Sequence, residues 1–278
     1  MRFRIAAVAL VALAFGFGGC MGDEPPAAPV ETTPPLVTLR IIFPEGFTRR
    51  EMADRVAAVR EIAIDKRGVT PQLTKTGYLE ASGAAVPPVE FRKDWKLSSI
   101  EGFLFPATYE FTKLTSSEKL VSDQLRAFRR NWRKVNLRYA RSKNLTPYDV
   151  LIIASMVEKE TVVPAERRLV AAVIYNRLRN RMPLGIDATI RYGRNVPGTE
   201  PLKQSDIQSN NPFNTRNRLG LPPTPIANPG LASMRAAANP ARVDYLYFVR
   251  IRDSNRHFFT ASEAEFCQKS LEYGYGGC

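Results

Sequence analysis

Apolar and polar positions change their period along the chain, and each change marks an element. An unbroken apolar run from Ile5 to Gly19 follows Arg2 and Arg4 and stops at Cys20. As a helix, such a run reaches roughly 22 Å, short of a hydrocarbon core of about 30 Å. Residues 21–35 hold five Pro, three acidic and no basic residues, the composition of an extended tether. LVTLRIIF (36–43) predicts a strand, and Pro44-Glu45-Gly46 a turn. Thr48 with Glu51 forms a capping box that opens a helix to about Arg60. Short helices and loops follow to Ser99, so 36–99 is expected to form a small β-α-type module.

The segment 100–278 is helix-rich. IEGFLFPATYEF (100–111) suits a buried strand or a lining segment, and Thr115 with Glu118 predicts a long helix to about Lys143. Thr146-Pro147-Tyr148-Asp149 supplies a cap, a Pro at the first helical position and a closing acid. The helix it opens reads DVLIIASMVEKET, apolar around most of its circumference and therefore buried. A further helix is expected over 166–182. NPFNTRNRLGLPPTPIANPG (211–230) is too apolar for a floppy linker and reads as a rigid wall around a cleft. YLYFVRIR and RHFFT, joined by a DSN turn, predict a hairpin, and Thr260 with Glu263 caps a last helix.

Charge and rare residues then restrict the chemistry. With 40 Lys and Arg against 27 Asp and Glu the net charge is +13, which attracts an anionic partner. Arg126, Arg129, Arg130, Arg133, Lys134, Arg138, Arg141 and Lys143 concentrate it in one stretch, either a solvated helix face or a docking face for an anionic surface. The basic start, short apolar run and Gly18-Gly19-Cys20 read as an export signal, resembling a bacterial lipoprotein signal lipidated at Cys20; Phe17 departs from that pattern. A plain cleaved signal or a short membrane anchor are the alternatives. Export makes nucleic acid an improbable partner. One His and three Cys without a C-x-x-C pair leave too few soft ligands for a zinc site or an iron–sulfur cluster, so no metal or cofactor is expected. His257, between two strand segments, reads as a structural hydrogen-bonder. In an oxidising compartment a lipidated Cys20 leaves Cys267 and Cys278 to pair, the glycine-rich tail folding back on the last helix.

Carboxylates remain as the reactive groups. Glu158 shares a helix face with Ala154 and Leu151, while Lys159 and Glu160 point elsewhere. A carboxyl in such surroundings is expected to hold its proton, as a general acid must; a partly exposed Glu at a helix end is the plainer reading.

EGFLFPATYEF, IIASMVEKET, VIYNRLRNRMPLGIDATIRYG, FNTRNRLGLPPTPIANPG and YLYFVRIRDSNRHFFT, in this order, resemble the YceG-like endolytic murein transglycosylases. The resemblance covers about 36–278 and is strongest from Ile100 onward. It implies an α+β fold, with a small LysM-like subdomain at 36–99 and a larger mixed α/β catalytic domain at 100–278. It carries the catalytic acid onto Glu158 and implies that Glu101, Asn176, Asp187, Asn214 and Thr215 line the cleft. It also implies peptidoglycan strands as substrate, a membrane-tethered location in the cell envelope and a peptidoglycan synthase as neighbour. Ala107, Ala188 and Arg216 depart from the family's usual Asp, Pro and Tyr. A non-catalytic wall-binding protein and a hydrolase with Asp187 or Glu101 as second carboxylate are the rival expectations.

Overall fold

β-Branched and aromatic residues at alternate positions pair two distant strands. β1 (Leu39–Ile42) runs antiparallel to β2 (Thr108–Phe111), with Leu39 opposite Phe111 and Ile42 opposite Thr108. The computed structural model describes residues 36–276. The expectations for the signal, Cys20, the tether and Cys278 lie outside the described residues. Between the strands run α1 (Arg49–Arg67) and α2 (Lys75–Ala84), giving a β-α-α-β unit. Thr48 and Glu51 cap α1 reciprocally, as expected, but the helix runs past Arg60 to Gly68, which ends it in the left-handed conformation at φ 60°. This unit takes its second strand from beyond residue 99, and residues 36–276 share one core.

α3 (Ser117–Trp132) is shorter than expected. Ser116, not Thr115, caps it, since the Thr115 hydroxyl instead accepts from the Thr112 N–H at 2.9 Å. The chain leaves the helix after Trp132, and the Asn136 side chain accepts from the Arg138 N–H to start α4 (Arg138–Arg141). Polar, charge-rich sequence continues across the break, which is why its pattern suggested one helix.

α5 (Pro147–Glu160) is the centre of the molecule. Thr146 and Asp149 form its capping box, and every residue from Val150 to Val157 is buried. Such a helix needs cover on all sides. α6 (Arg167–Arg179), α7 (Asp187–Arg194) and α9 (Leu231–Ala238) pack around it, while the short α8 (Gln204–Ile207) adjoins α7. Toward its N-terminal end Tyr148 stacks on Phe103 at 6.2 Å. Phe103 meets Phe128, and Phe128 stacks on Trp132, so the end of α3 lies beside the start of α5.

The segment 211–230 has no regular element, yet Thr224, Ile226, Ala227 and Asn228 are buried. β3 (Tyr247–Arg250) and β4 (His257–Thr260) form the expected antiparallel hairpin. α10 (Glu263–Glu272) follows, capped by Ser262 in place of Thr260. No described helix is long and apolar enough to cross a membrane.

Asn228 pins these parts together. Its side-chain carbonyl accepts from the Gly102 and Leu104 N–H groups, each at 2.9 Å, and its amide donates to the Phe47 carbonyl and to Glu101. Asn228→Ala strands these partners in a fully buried place. A loss of roughly 3 kcal/mol or more is expected, since several buried groups each lose their partner at about 1–3 kcal/mol; chemical denaturation measures it, and a loss below about 1 kcal/mol contradicts this role.

Candidate active site

The last turn of α5 carries Glu158, Lys159 and Glu160 out of the apolar core, and each side chain takes a different direction. The Glu158 side chain is 6% exposed. Its Oε2 accepts from the Gly230 N–H at 2.9 Å, and its Oε1 lies 3.8 Å from Arg167 Nη2. Glu45 lies on the other side of Gly230, so close that a β-carbon there would overlap its carboxylate. Burial, and then the Glu158 charge, raise the Glu45 pKa above the ordinary carboxylate value. Lys159 donates to the Gly46 carbonyl at 3.3 Å. The apolar surroundings expected for Glu158 are therefore replaced by an ion pair, a backbone donor and a second carboxylate.

Glu160 has a different environment. It is half-buried, and desolvation and then the Asp187 charge push its pKa up to about 7. The Ala188 N–H faces its carboxylate and favours the ionised form, as do Arg216 and Arg250. Asp187, the first residue of α7, is 46% exposed and accepts from Arg216 Nε at 2.7 Å. Glu160, Asp187 and Arg216 thus form an open acidic–basic cluster with one carboxyl that holds a proton near neutrality.

Glu101 is almost fully buried and closes a neighbouring cavity of about 390 Å³, with Arg50, Ser99, Tyr192, Phe213 and Thr224 in its lining. The Arg49 N–H donates to both its oxygens, at 3.0 and 3.1 Å, the Tyr192 hydroxyl to Oε2 at 3.3 Å and Asn228 to Oε1 at 2.6 Å. Burial still dominates and pushes its pKa up to about 7.

Three residues expected at the cleft wall are turned inward. The Asn176 amide donates to the Val243 and Tyr245 carbonyls, both at 2.9 Å. The Asn214 amide donates to Ile207 and Ser209, and its carbonyl accepts from the Arg216 N–H. The Thr215 hydroxyl accepts from the Ile186 N–H and meets Thr189. Their polar groups are committed to backbone, so they set the shape of the wall. His257 binds Glu166 through its backbone N–H and through Nδ1 at 2.7 Å, a structural pair. Among the described residues no cluster of three His, Cys, Asp or Glu could hold a metal ion. Cys267 is disulfide-bonded.

Sequence reasoning missed Glu160, Arg167, Glu45 and Tyr192. Glu160 stands two residues from the expected acid in the same motif, but helical spacing does not tell which neighbours loops and other helices bring to each face.

A buried helix thus brings two carboxyl groups to its C-terminal end, beside a loop of irregular backbone whose buried polar groups are paired. The chain belongs to the YceG-like family, whose model matches residues 29–271. It is 32% identical over 266 residues to an endolytic murein transglycosylase of Streptococcus pneumoniae R6, an alignment covering 91% of this chain and 46% of that protein. A protein of the same name from Bacillus subtilis 168 is 36% identical over 218 residues, covering 76% and 58%. The chain thus spans about half the length of the curated relatives it matches. The crystal structure of a YceG-like protein from Listeria monocytogenes superposes with a TM-score of 0.68 at 28% identity, covering 81% of this chain and 74% of that one.

The Glu101 carboxyl binds its proton more tightly folded than unfolded, where 4.5 is the reference value. Its contribution to stability is therefore fully present below about pH 4.5 and lost as pH rises through about 7. Glu101→Gln should flatten the fall in denaturation midpoint between pH 5 and 8; an unchanged slope contradicts the assignment.

Proposed function

We propose that this chain is a lytic transglycosylase that cleaves the MurNAc–GlcNAc bond of peptidoglycan and leaves 1,6-anhydro-MurNAc ends. Membership of the YceG-like family and the names of its relatives support the reaction class. The single observation that carries the site is Glu160: a half-buried carboxyl, its pKa near 7, beside an exposed Asp187–Arg216 pair. Glu160 protonates the glycosidic oxygen as the bond to C1 breaks. An oxocarbenium-like centre develops, and the ionised Glu160 takes the proton of the sugar's own C6 hydroxyl as that oxygen attacks C1. One carboxyl serves as acid and then as base, and intramolecular attack replaces water. Asp187, held by Arg216, lends negative charge that keeps the Glu160 proton in place and faces the developing cation.

Glu158, the acid that the family resemblance implies, is the second candidate: it is partly buried like Glu160, accepts from the Gly230 N–H and lies 3.8 Å from Arg167. The β-α-α-β unit over 39–111 supports a LysM-like subdomain that reaches past residue 99. Export, tethering through Cys20 or the apolar run, action beside a peptidoglycan synthase and a Cys267–Cys278 bridge complete the proposal. Non-reducing peptide mapping of exported protein checks the bridge, and a free thiol at Cys278 rules it out.

One alternative has its own support: Asp187 beside Glu160 supplies the two carboxylates of a hydrolase. Mass spectrometry of released muropeptides separates the two, since hydrolysis leaves a reducing end.

Glu160→Gln should lose at least about 100-fold in turnover, the low end for acid–base catalysis, and Glu158→Gln less than tenfold. The reverse order makes Glu158 the acid, and full activity in both variants removes the carboxyl mechanism. In wild type kcat/KM should fall above about pH 7, where Glu160 loses its proton. Ala188→Pro removes the N–H that favours the carboxylate, so the alkaline limb should move to higher pH; a limb that stays or moves down contradicts the assignment.

A further inference from the structure

Between Asp123 and Asp149 the chain carries eight Lys and Arg and no acidic residue. The structure gathers them at one end of the molecule. The end of α3, the whole of α4 and the loop into α5 lie beside the N-terminal end of α5, tied there by the Phe103, Phe128, Trp132 and Tyr148 rings. All eight are exposed, and of the eight only Arg126 forms a salt bridge within the described residues, with Asp123. An open concavity of about 420 Å³ sits in this face, lined by Asn136, Arg138, Tyr139, Ser142, Asn239 and Arg242. Arg242 arrives from a segment distant in sequence and adds a cation to the same rim. A guanidinium-rimmed hollow with amide and hydroxyl donors matches a phosphate group, and the surrounding arginines extend the match over a planar negative surface.

We propose that this face docks the domain on an anionic phospholipid surface, the hollow between Arg138 and Arg242 receiving a lipid phosphate. A bilayer is favoured over other polyanions by position. Residues 20–35 join the apolar run 5–19 to Leu36, a connection of roughly 50 Å when extended, so a bilayer that holds either that run or a lipid on Cys20 stays within reach of the face. The orientation has a consequence for the cleft. The face adjoins the start of α5 and Glu160 ends it, and fourteen residues of helix separate them by about 20 Å. On the catalytic reading proposed above, a docked domain holds Glu160 at most about that far beyond the face, within reach of glycan close to the membrane and not of strands deep in the wall.

The experiment uses the full chain on vesicles of phosphatidylcholine alone and of phosphatidylcholine with 30% phosphatidylglycerol, so that the apolar run contributes alike to both. Wild type should bind the anionic vesicles more tightly, the excess should vanish in high salt, and residues 129–143 should gain hydrogen-exchange protection only on the anionic vesicles. Arg138→Gln, Arg141→Gln and Arg242→Gln together should reduce the anionic excess on the order of 100-fold, at about fivefold per arginine. Muropeptide release in solution, which does not involve these residues, should be retained and reports the fold. Equal binding to both vesicle types by wild type overturns the proposal. So does a triple variant that keeps the excess, or one that loses binding to isolated peptidoglycan in place of vesicles. Arg129→Gln with Arg133→Gln is a second variant on the same face with the same expected direction. Failure of the Glu160 substitution to affect activity bears on the catalytic reading alone.

Discussion

A helix that is apolar on every side is the constraint from which the rest of the structure follows. From Val150 to Val157 α5 has no face that tolerates water, so it is enclosed by α6, α7 and α9. Enclosure leaves only its two ends for polar chemistry. The N-terminal end closes on Thr146 and Asp149 and on an aromatic cluster, and the C-terminal end opens with three charged residues in succession. A carboxyl placed there inherits burial from the helix and access to solvent from its termination. That combination raises a pKa without removing the group from reach.

The loops that meet this end are held by side chains, since ladders are nearly absent in this region. Asn228 satisfies the Gly102 and Leu104 N–H groups and reaches Glu101, which in turn receives the Arg49 N–H. Asn214 and Thr215 do the same for the segment ahead of α7 and for the wall loop. A wall made of irregular backbone has many unpaired groups, and each buried one needs a partner. Asn214, Thr215 and Asn228 in 211–230 therefore answer first to a structural requirement.

This explains what was legible in the sequence. The caps at Thr48 and Thr146 and the hairpin at 247–260 are local in origin and were placed correctly. The strand partner of β1 lies some seventy residues away, and no local pattern announces that Leu39 faces Phe111. The helix after Ser116 ends at Trp132, short of the length its pattern predicts, because arginine-rich sequence favours helix on both sides of the break. Asn176, Asn214 and Thr215 looked like sugar contacts for the reason that makes them good backbone partners: short polar groups satisfy carbonyls and amides as readily as hydroxyls.

The choice between Glu158 and Glu160 has the same origin. Periodicity puts the two on different faces of one helical turn, and there its information ends. Loop 228–230 and Arg167 come to one face and supply a donor and a cation, which hold Glu158 in place. Burial on the other face, and then the like charge of Asp187, raise the Glu160 pKa. Two carboxyls within three residues thus meet different surroundings, set by what tertiary structure brings to each. The cations on the two faces differ as well: Arg167 stands beside Glu158, while Arg216 and Arg250 act on Glu160.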